Sequence, residues 1–469
     1  MLTGYFTRMC LILLISLTWF ACKKDKPLPA APTGLTVSNI TDTGATIRWN
    51  ATDHAKSYEL HLIAKTPFRN SLEYKLGADA TLTTAVITNL IPATKYHVEV
   101  IAIGDNGKGE PASTDFITED ADGLVVVGCN DKNIYAFNAR NGNEVWRYVT
   151  SDEVNAAPVI KDSVVYIGSF DGKLYAINAR DGSLKWATGK MRSGIGITAP
   201  VTLSNGRIYL GDYGGWIYAF DTTNGSEKWN YILPSPYKNV NTAAVIPGDS
   251  TMYIGSYDGK VYAFNNATGM LKWNTVSTGN PLTSGLAVYN NTIYVGAMPK
   301  LYAFDAGTGA IKWRGYVTGY EVFDASPTIS DNKVLIGDEG GTFYAFDATT
   351  GAVIWSRKLS NGSIMSSAVV AGGVVYVGDG NGVLHALNVT TGSTVWVNSS
   401  LSAKNIYSGP TITEKYVYAG TLEGKIYCLD RATGFIKWSK GPFQGFQSSA
   451  TVLKYSGKTF HPGVTGIVQ

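Results

Sequence analysis

Along most of the chain, apolar and polar residues alternate in short runs that return with a fixed period. The unit is plain in residues 172–186, GKLYAINARDGSLKW. Related copies end in Trp146, Trp186, Trp229, Trp273, Trp313, Trp355, Trp396 and Trp438, spaced by 40, 43, 44, 40, 42, 41 and 42 residues. Alternation at period two predicts strands. In each unit a run such as APVI is followed by VVYIGS, a turn, KLYAINA, a second turn and LKW. Four short strands at such a spacing predict the blades of a β-propeller, not a helical solenoid or a sandwich.

The turns carry their own chemistry. The first often holds Asp171-Gly172, Gly214-Gly215 or Asp258-Gly259, pairs suited to a tight hairpin that needs positive φ. In the second, Asn138, Asn178, Asp221, Asn265, Asp305, Asp347, Asn388 and Asp430 each stand four residues before a glycine. The Asx side chain can accept backbone N–H groups of the turn while the glycine takes the left-handed position. The tryptophan follows four residues later. Burying a ring of roughly 150–250 Å² at about 25 cal/mol per Å² gives about 4–6 kcal/mol as an upper bound. One such ring per blade is expected to wedge between neighbours. The first unit begins at LVVVG (124–128) with no APVI-like run before it, whereas QSSATVL (447–453) has no blade after it. In the simplest closure the last strand completes the first blade, so that eight blades form a ring.

A different rhythm occupies residues 32–118. The runs TGLTVSNI, GATIRWNA, SYELHLIAK, TAVITNL, YHVEVIAIG and STDFIT, broken by turn residues, predict a seven-strand β-sandwich. Trp49 falls in the second strand and Tyr58 in the third. LIPATKY (90–96) sets Tyr96 just after a turn, where its hydroxyl can tie the corner to backbone. Together these residues resemble a fibronectin type III domain, a family that commonly serves as spacer or adhesive unit. His54, His61 and His97, three of the five histidines, lie here. Their scatter over the module reads as surface decoration, with no metal expected.

Ahead of both modules, Arg8 precedes the apolar run MCLILLISLTWFA (9–21), short for a membrane span and right for a signal-peptide core. Cys22 follows, then the polar, Pro-rich KKDKPLPAAP. The segment resembles a bacterial lipoprotein signal, and in TWFAC and CKKDK it is similar to Bacteroidetes lipoproteins; Trp19 and Phe20 depart from the stricter lipobox. The resemblance implies a signal peptide over 1–21, lipidated Cys22, a tether over 22–31, the sandwich over 32–118 and the propeller over 119–469. Of the remaining cysteines, Cys10 lies in the signal, while Cys129 and Cys428 occupy non-equivalent repeat positions and read as two buried thiols. No CxxC or Cys/His spacing points to a metal. The 469 residues include 52 glycines, with 12% aromatic and 16% charged, a turn-rich all-β profile. Net charge is +3 without a basic cluster beyond the N-terminus, so nucleic acid is not an expected partner.

The repeat YAFDATTGAVIW (344–355) and its seven cousins resemble the tryptophan-docking repeat of pyrroloquinoline-quinone-like (PQQ-like) propellers. That family holds quinoprotein dehydrogenases and non-enzymatic, BamB-type assembly lipoproteins. It implies ligands near the axis, at the loops entering the innermost strands. Aligning the repeats puts Asn155, Ile197, Asn241, Thr283, Asp324, Met365, Tyr407 and Gln447 at one mouth position, each following a mostly apolar residue such as Phe323 or Phe446. Aromatics in the loops, among them Tyr213, Trp216, Tyr237, Tyr257, Tyr320 and Phe443, could stack on sugar or anchor a peptide. Trp216 stands apart as a propeller tryptophan outside the repeat position.

By the same resemblance, a quinoprotein dehydrogenase clamps its quinone with a vicinal disulfide, holds calcium with carboxylate and amide oxygens, and uses an Asp base. This chain has no Cys-Cys pair. Asp324 is the one carboxylate at the aligned position and can equally bond backbone in its own turn; Asn155 and Asn241 are the candidate amides, whereas calcium takes six or more oxygens. His385, standing where other repeats have Tyr, and His461 have no Ser or Cys partner in a nucleophile motif. The sequence therefore points away from an enzyme and from any cofactor. It points to a monomeric, lipid-anchored scaffold of the bacterial outer membrane that binds an envelope protein or a glycan. A PQQ-dependent oxidoreductase is the alternative.

Overall fold

The computed structural model describes residues 27–65, 72–79, 82–236, 239–240, 242–248, 250–316, 323–401 and 405–461. The leader, Cys22, Tyr237, Asn241 and Tyr320 lie outside the described residues. The chain forms two units, Met1–Asp120 and Ala121–Gln469. Among the described residues all regular structure is strand.

The first unit is a sandwich. Its strands are β1 (Thr36–Ser38), β2 (Ala45–Arg48), β3 (Ser57–Lys65), β4 (Leu72–Asp79), β5 (Thr84–Ile87), β6 (Lys95–Gly104) and β7 (Gly107–Ile117). One sheet has the order β1-β2-β5 and the other β4-β3-β6-β7. Alternation sends Tyr58, Leu60 and Leu62 of β3 and Tyr96, Val98 and Val100 of β6 into one core. Trp49 packs edge-on against Tyr58, with 5.3 Å between ring centroids. The Ile91 N–H donates to Tyr96 Oη at 2.8 Å and so ties the corner. This is the fibronectin type III arrangement.

Eight small sheets make up the second unit. In blade 2, Val159–Lys161, Val164–Gly168, Leu174–Asn178 and Leu184–Ala187 run from inside to outside, each antiparallel to the next. The other blades repeat this order, except that the innermost strand of blade 4 is reduced to a Val245–Tyr253 bridge. Blade 1 takes its inner strand from the far end of the chain. Thr451–Lys454 pairs with Asp122–Gly128, and Thr459–Phe460 adds beyond it.

Each tryptophan reaches the next blade. Trp146 Nε1 donates to the Ala179 carbonyl at 2.8 Å, and equivalent bonds join Trp186 to Thr222, Trp229 to Asn266, Trp313 to Ala348, Trp355 to Val389 and Trp396 to Arg431. The last, from Trp438 to the Ala139 carbonyl at 2.8 Å, joins blade 8 to blade 1 and closes the ring. The ring faces lie on turn glycines, as Trp273 lies on Gly309. Opposite Trp186 in its own sheet stands Ala176, and opposite Trp438 stands Cys428. Cys428 and Cys129 are buried and free, and burial pushes both thiols up to about 12. Nearer the axis, inner-strand threonines bond forward: Thr202 to Ala244, Thr328 to Ala368, Thr411 to Ala450 and Thr451 to Pro158, all at 2.6 Å.

Candidate functional site

Strand order places two sets of loops on one face of the propeller: those entering the innermost strands, and the hairpins between second and third strands. Each second strand carries a glycine at or next to its end, and in most blades a bulky residue of an entering loop fills the space where its Cβ would be. Gly128 receives Val154, Gly211 receives Val240, Gly296 receives Phe323 and Gly420 receives Phe446. The backbone N–H of the bulky residue bonds the carbonyl one position past the glycine, as Val154 does to Cys129 and Phe446 to Thr421. Phe323 and Phe446 are thereby fully buried and belong to the packing between blades rather than to a ligand surface. Phe443 packs edge-on against Phe446 and tilted against Tyr135 in the same core.

The following residue faces the mouth. Asn155, Thr283, Asp324, Met365 and Tyr407 are each half-buried here, and Gln447 is exposed. Blade 3 corrects the alignment by one residue. Ile197 fills the socket at Gly168 and donates to the Ser169 carbonyl, so Thr198, not Ile197, takes the mouth position. The physical reason is the loop over residues 188–196, whose extra glycines hide the register in the sequence. Asp324 accepts from Thr283 Oγ1 at 2.5 Å, a bond between neighbouring blades rather than within its own turn. Asn155 donates to Glu153 at 3.3 Å. The Oδ1 of Asn155 and the Oγ1 of Thr198 are buried with no hydrogen-bond partner among the described residues, as is Oδ1 of Asn130.

Around this polar mouth, the second-to-third-strand hairpins present Phe170, Tyr213, Tyr257 and Met298 at equivalent positions of blades 2 to 5. Phe170 is 38% and Met298 37% exposed, and Ile195 beside Phe170 is 44% exposed. Phe170 and Tyr213 lie 6.4 Å apart by ring centroids. Burial holds the Tyr257 phenol above its ordinary range, and the nearby Tyr213 and Asp324 add to the shift. The sequence reading included Tyr213 and Tyr257 but missed Phe170, Ile195 and Met298. For Phe170 and Met298 the available signal was their place two residues past Gly168 and Gly296 in the repeat; Ile195, in an entering loop, had none. Blades 6 to 8 carry Glu339, Gly380 and Leu422 there, so the face is two-sided.

Beneath the arc, hairpin carboxylates brace the third strands. Tyr175 donates to Asp171 at 2.6 Å and Tyr218 to Asp212 at 3.0 Å. His385 does the same work, with Nε2 3.0 Å from Asp379 in a buried pair. Trp216 lies partly buried on blade 3, stacked on Tyr218 with the Arg192 guanidinium 5.7 Å from its ring, and Arg192 pairs with Glu227. It covers its blade rather than standing open in the mouth.

The residues do not fit a quinone cofactor. The two propeller cysteines are separate buried thiols, and Asp324 is the one carboxylate among the described mouth positions. Among the described residues no three His, Cys, Asp or Glu side chains stand ready in a metal-holding arrangement.

Tryptophan-docked blades closed into a ring of eight define a PQQ-like repeat protein. The chain belongs to the family described as outer membrane protein assembly factor BamB, whose model matches residues 106–259 and 257–454. The fibronectin type III domain model matches residues 30–119. Among solved structures, BamB from Moraxella catarrhalis is 23% identical with a TM-score of 0.54, covering 64% of this chain and 91% of that one. The computationally designed Ika8 protein is 19% identical with a TM-score of 0.59, covering 66% and 94%. A europium-containing methanol dehydrogenase is 14% identical with a TM-score of 0.51, covering 64% and 81%. At these identities the likeness is one of fold. The tail tube protein gp17.1* of Bacillus phage SPP1 is 33% identical over 93 residues, which is 20% of this chain and 31% of that protein. At the level of the family, the propeller is that of an assembly or binding scaffold.

Proposed function

We propose that this protein is a non-enzymatic envelope scaffold, lipidated at Cys22 and held at the outer membrane, that binds a partner protein on the mouth face of its propeller. Residues 1–21 serve as the signal peptide and 22–31 as the tether. The observation that carries the reading is the apolar arc of Phe170, Tyr213, Tyr257 and Met298 on four consecutive blades. Aromatic anchors grouped beside unpartnered acceptors are the usual core of a protein-binding patch. Buried beneath the arc, Asn155 Oδ1 and Thr198 Oγ1 have no hydrogen-bond partner among the described residues. The family's description as an outer membrane assembly factor favours the membrane-barrel assembly machinery as that partner. No cofactor is part of the reading.

The test is affinity purification of the tagged full chain from native membranes, beside a Phe170→Ser, Tyr213→Ser, Tyr257→Ser variant. The wild type is expected to retain barrel-assembly components and the variant to lose them. Retention of the same partners by the variant would overturn the mouth-face reading. Binding of oligosaccharides by the purified protein, lost in the variant, would redirect it to glycan recognition.

A further inference from the structure

We propose that the propeller holds a small-molecule site between blades 7 and 8, built around Arg431 and Tyr376, for a carboxylate carried on an apolar ring. A cavity of about 430 Å³ opens there, within the usual range for ligand pockets. Its walls come from the loop between the first and second strands of each blade and from the turn before the outer strand of blade 8. Strand order puts these on the face opposite the mouth. Blade 7 departs from other blades at the positions that would close the groove. Gly372-Gly373 stands where blades 5 and 6 carry Asn290-Asn291 and Asp331-Asn332. Val374 begins the second strand, where Arg207 of blade 3 reaches across to the Asn266 carbonyl of the next blade at 3.1 Å. Val395 precedes the docking tryptophan, where Lys272 and Lys312 reach back to Thr251 at 2.6 Å and Thr292 at 2.8 Å.

One wall of the cavity carries a hydroxyl in need of a partner. In blades 2 to 5 the tyrosine at the third position of the second strand donates to a carbonyl of the next blade: Tyr166 to Thr222 at 3.2 Å, Tyr209 to Asn266 at 3.1 Å, Tyr253 to Ala306 at 2.8 Å and Tyr294 to Ala348 at 3.0 Å. In blade 8, Tyr418 donates to Asp122 at 2.9 Å. Tyr376 holds the same place in blade 7 and is 2% exposed, yet its hydroxyl forms no hydrogen bond among the described residues. The Arg431 carbonyl instead accepts from Trp396 Nε1 at 3.0 Å. Burial holds the Tyr376 phenol above its ordinary range, and the Arg431 charge acts against that rise. The phenol therefore keeps its proton and lines the cavity as a donor.

Arg431 supplies the charge. Its Nη1 donates to the Thr413 carbonyl at 3.0 Å, which anchors the guanidinium. Nε and Nη2 have no partner among the described residues, and Nη2 lies 3.3 Å from where a Cβ on Gly372 would stand. An anchored guanidinium with two donors to spare suits the paired oxygens of a carboxylate. The remaining charges agree with an anion. Arg431, Lys415 and Lys437 outnumber Asp430 and Glu414 in the lining. Glu414 already pairs with Lys454 at 3.0 Å and Lys458 at 2.8 Å, and Asp430 accepts from the backbone N–H groups of Ala432 and Thr433. Val374, Val395 and the Tyr416 ring line the same cavity, so the body of the ligand meets an apolar wall while its carboxylate meets Arg431 and Tyr376.

The experiment titrates the full chain with benzoate, and with benzamide as its uncharged counterpart, by ligand-observed NMR. Benzoate is expected to bind in the millimolar range, as befits so small a probe, and benzamide about tenfold more weakly or less. Arg431→Gln and Arg431→Lys should each weaken benzoate about tenfold, the second because it keeps the charge but loses the fork. Tyr376→Phe should weaken it several-fold. Since the Tyr376 hydroxyl makes no bond within the protein, Tyr376→Phe should leave the urea midpoint unchanged, whereas Tyr209→Phe should lower it. That contrast separates loss of a ligand contact from loss of structure. The Phe170→Ser, Tyr213→Ser, Tyr257→Ser variant, altered on the other face, should bind benzoate as the wild type does. No benzoate binding at tens of millimolar, equal binding of benzamide, or binding indifferent to Arg431 and Tyr376 would overturn the site.

Discussion

At the scale of single residues, the repeat works by pairing a tryptophan with a glycine of the next blade. Gly351 has φ of 75°, and a Cβ there would stand 2.5 Å from Cε3 of Trp313. The left-handed conformation alone costs a side chain about 1–2 kcal/mol, and the ring must also shift. Gly351→Ala is expected to lower unfolding free energy by about 2–4 kcal/mol in urea titration. An alanine variant as stable as the wild type would show that Trp313 has room to move. The spacing of tryptophan, Asx and glycine was legible in the sequence because docking admits almost no variation. The mouth was less so. Phe323 and Phe446 look like loop aromatics until Gly296 and Gly420 supply the sockets that bury them. Ile197 slips by one because its loop carries extra residues.

At the scale of elements, the closing strand is a small structure with a titratable end. Thr459–Phe460 pairs with Thr451–Lys454, and His461 follows at once, its Nδ1 3.5 Å from Thr451 Oγ1. Burial brings the His461 imidazole down from 6.5 to about 4. Above pH 6.5 the ring is neutral whether folded or unfolded and contributes nothing to pH dependence. Between 6.5 and about 4 the unfolded chain takes up a proton that the folded one refuses, so stability falls with acid through that window, by at most about 3 kcal/mol. His461→Gln, which cannot titrate, should unfold with a weaker pH dependence between pH 7.5 and 4.5 than the wild type does. Identical pH dependence in urea denaturation of both proteins would show that His461 is not the titrating group. A repeat pattern could not reveal this, since Thr459–Phe460 has no counterpart in the other blades.

At the scale of the whole molecule, the ring is closed where the C-terminal strand enters the first blade. Trp438 on Ala139, Thr411 on Ala450 and Thr451 on Pro158 join blade 8 to blade 1 and blade 1 to blade 2, and the strand Thr451–Lys454 covers what is otherwise the open edge of Asp122–Gly128. Phe446 fills Gly420 at the same join, and Ser448 donates to the Ala156 carbonyl at 2.9 Å. Removing residues 447–469 leaves blade 1 with three strands and an exposed apolar edge lined by Val125 and Val127. An open edge invites pairing with another chain, and a ring that does not close on itself can close through a neighbour. The truncated protein is expected to lose its single cooperative unfolding transition and to associate with rising concentration in light scattering. A truncated chain that stays monomeric and unfolds in one step would mean that tryptophan docking between blades 8 and 1 closes the ring unaided.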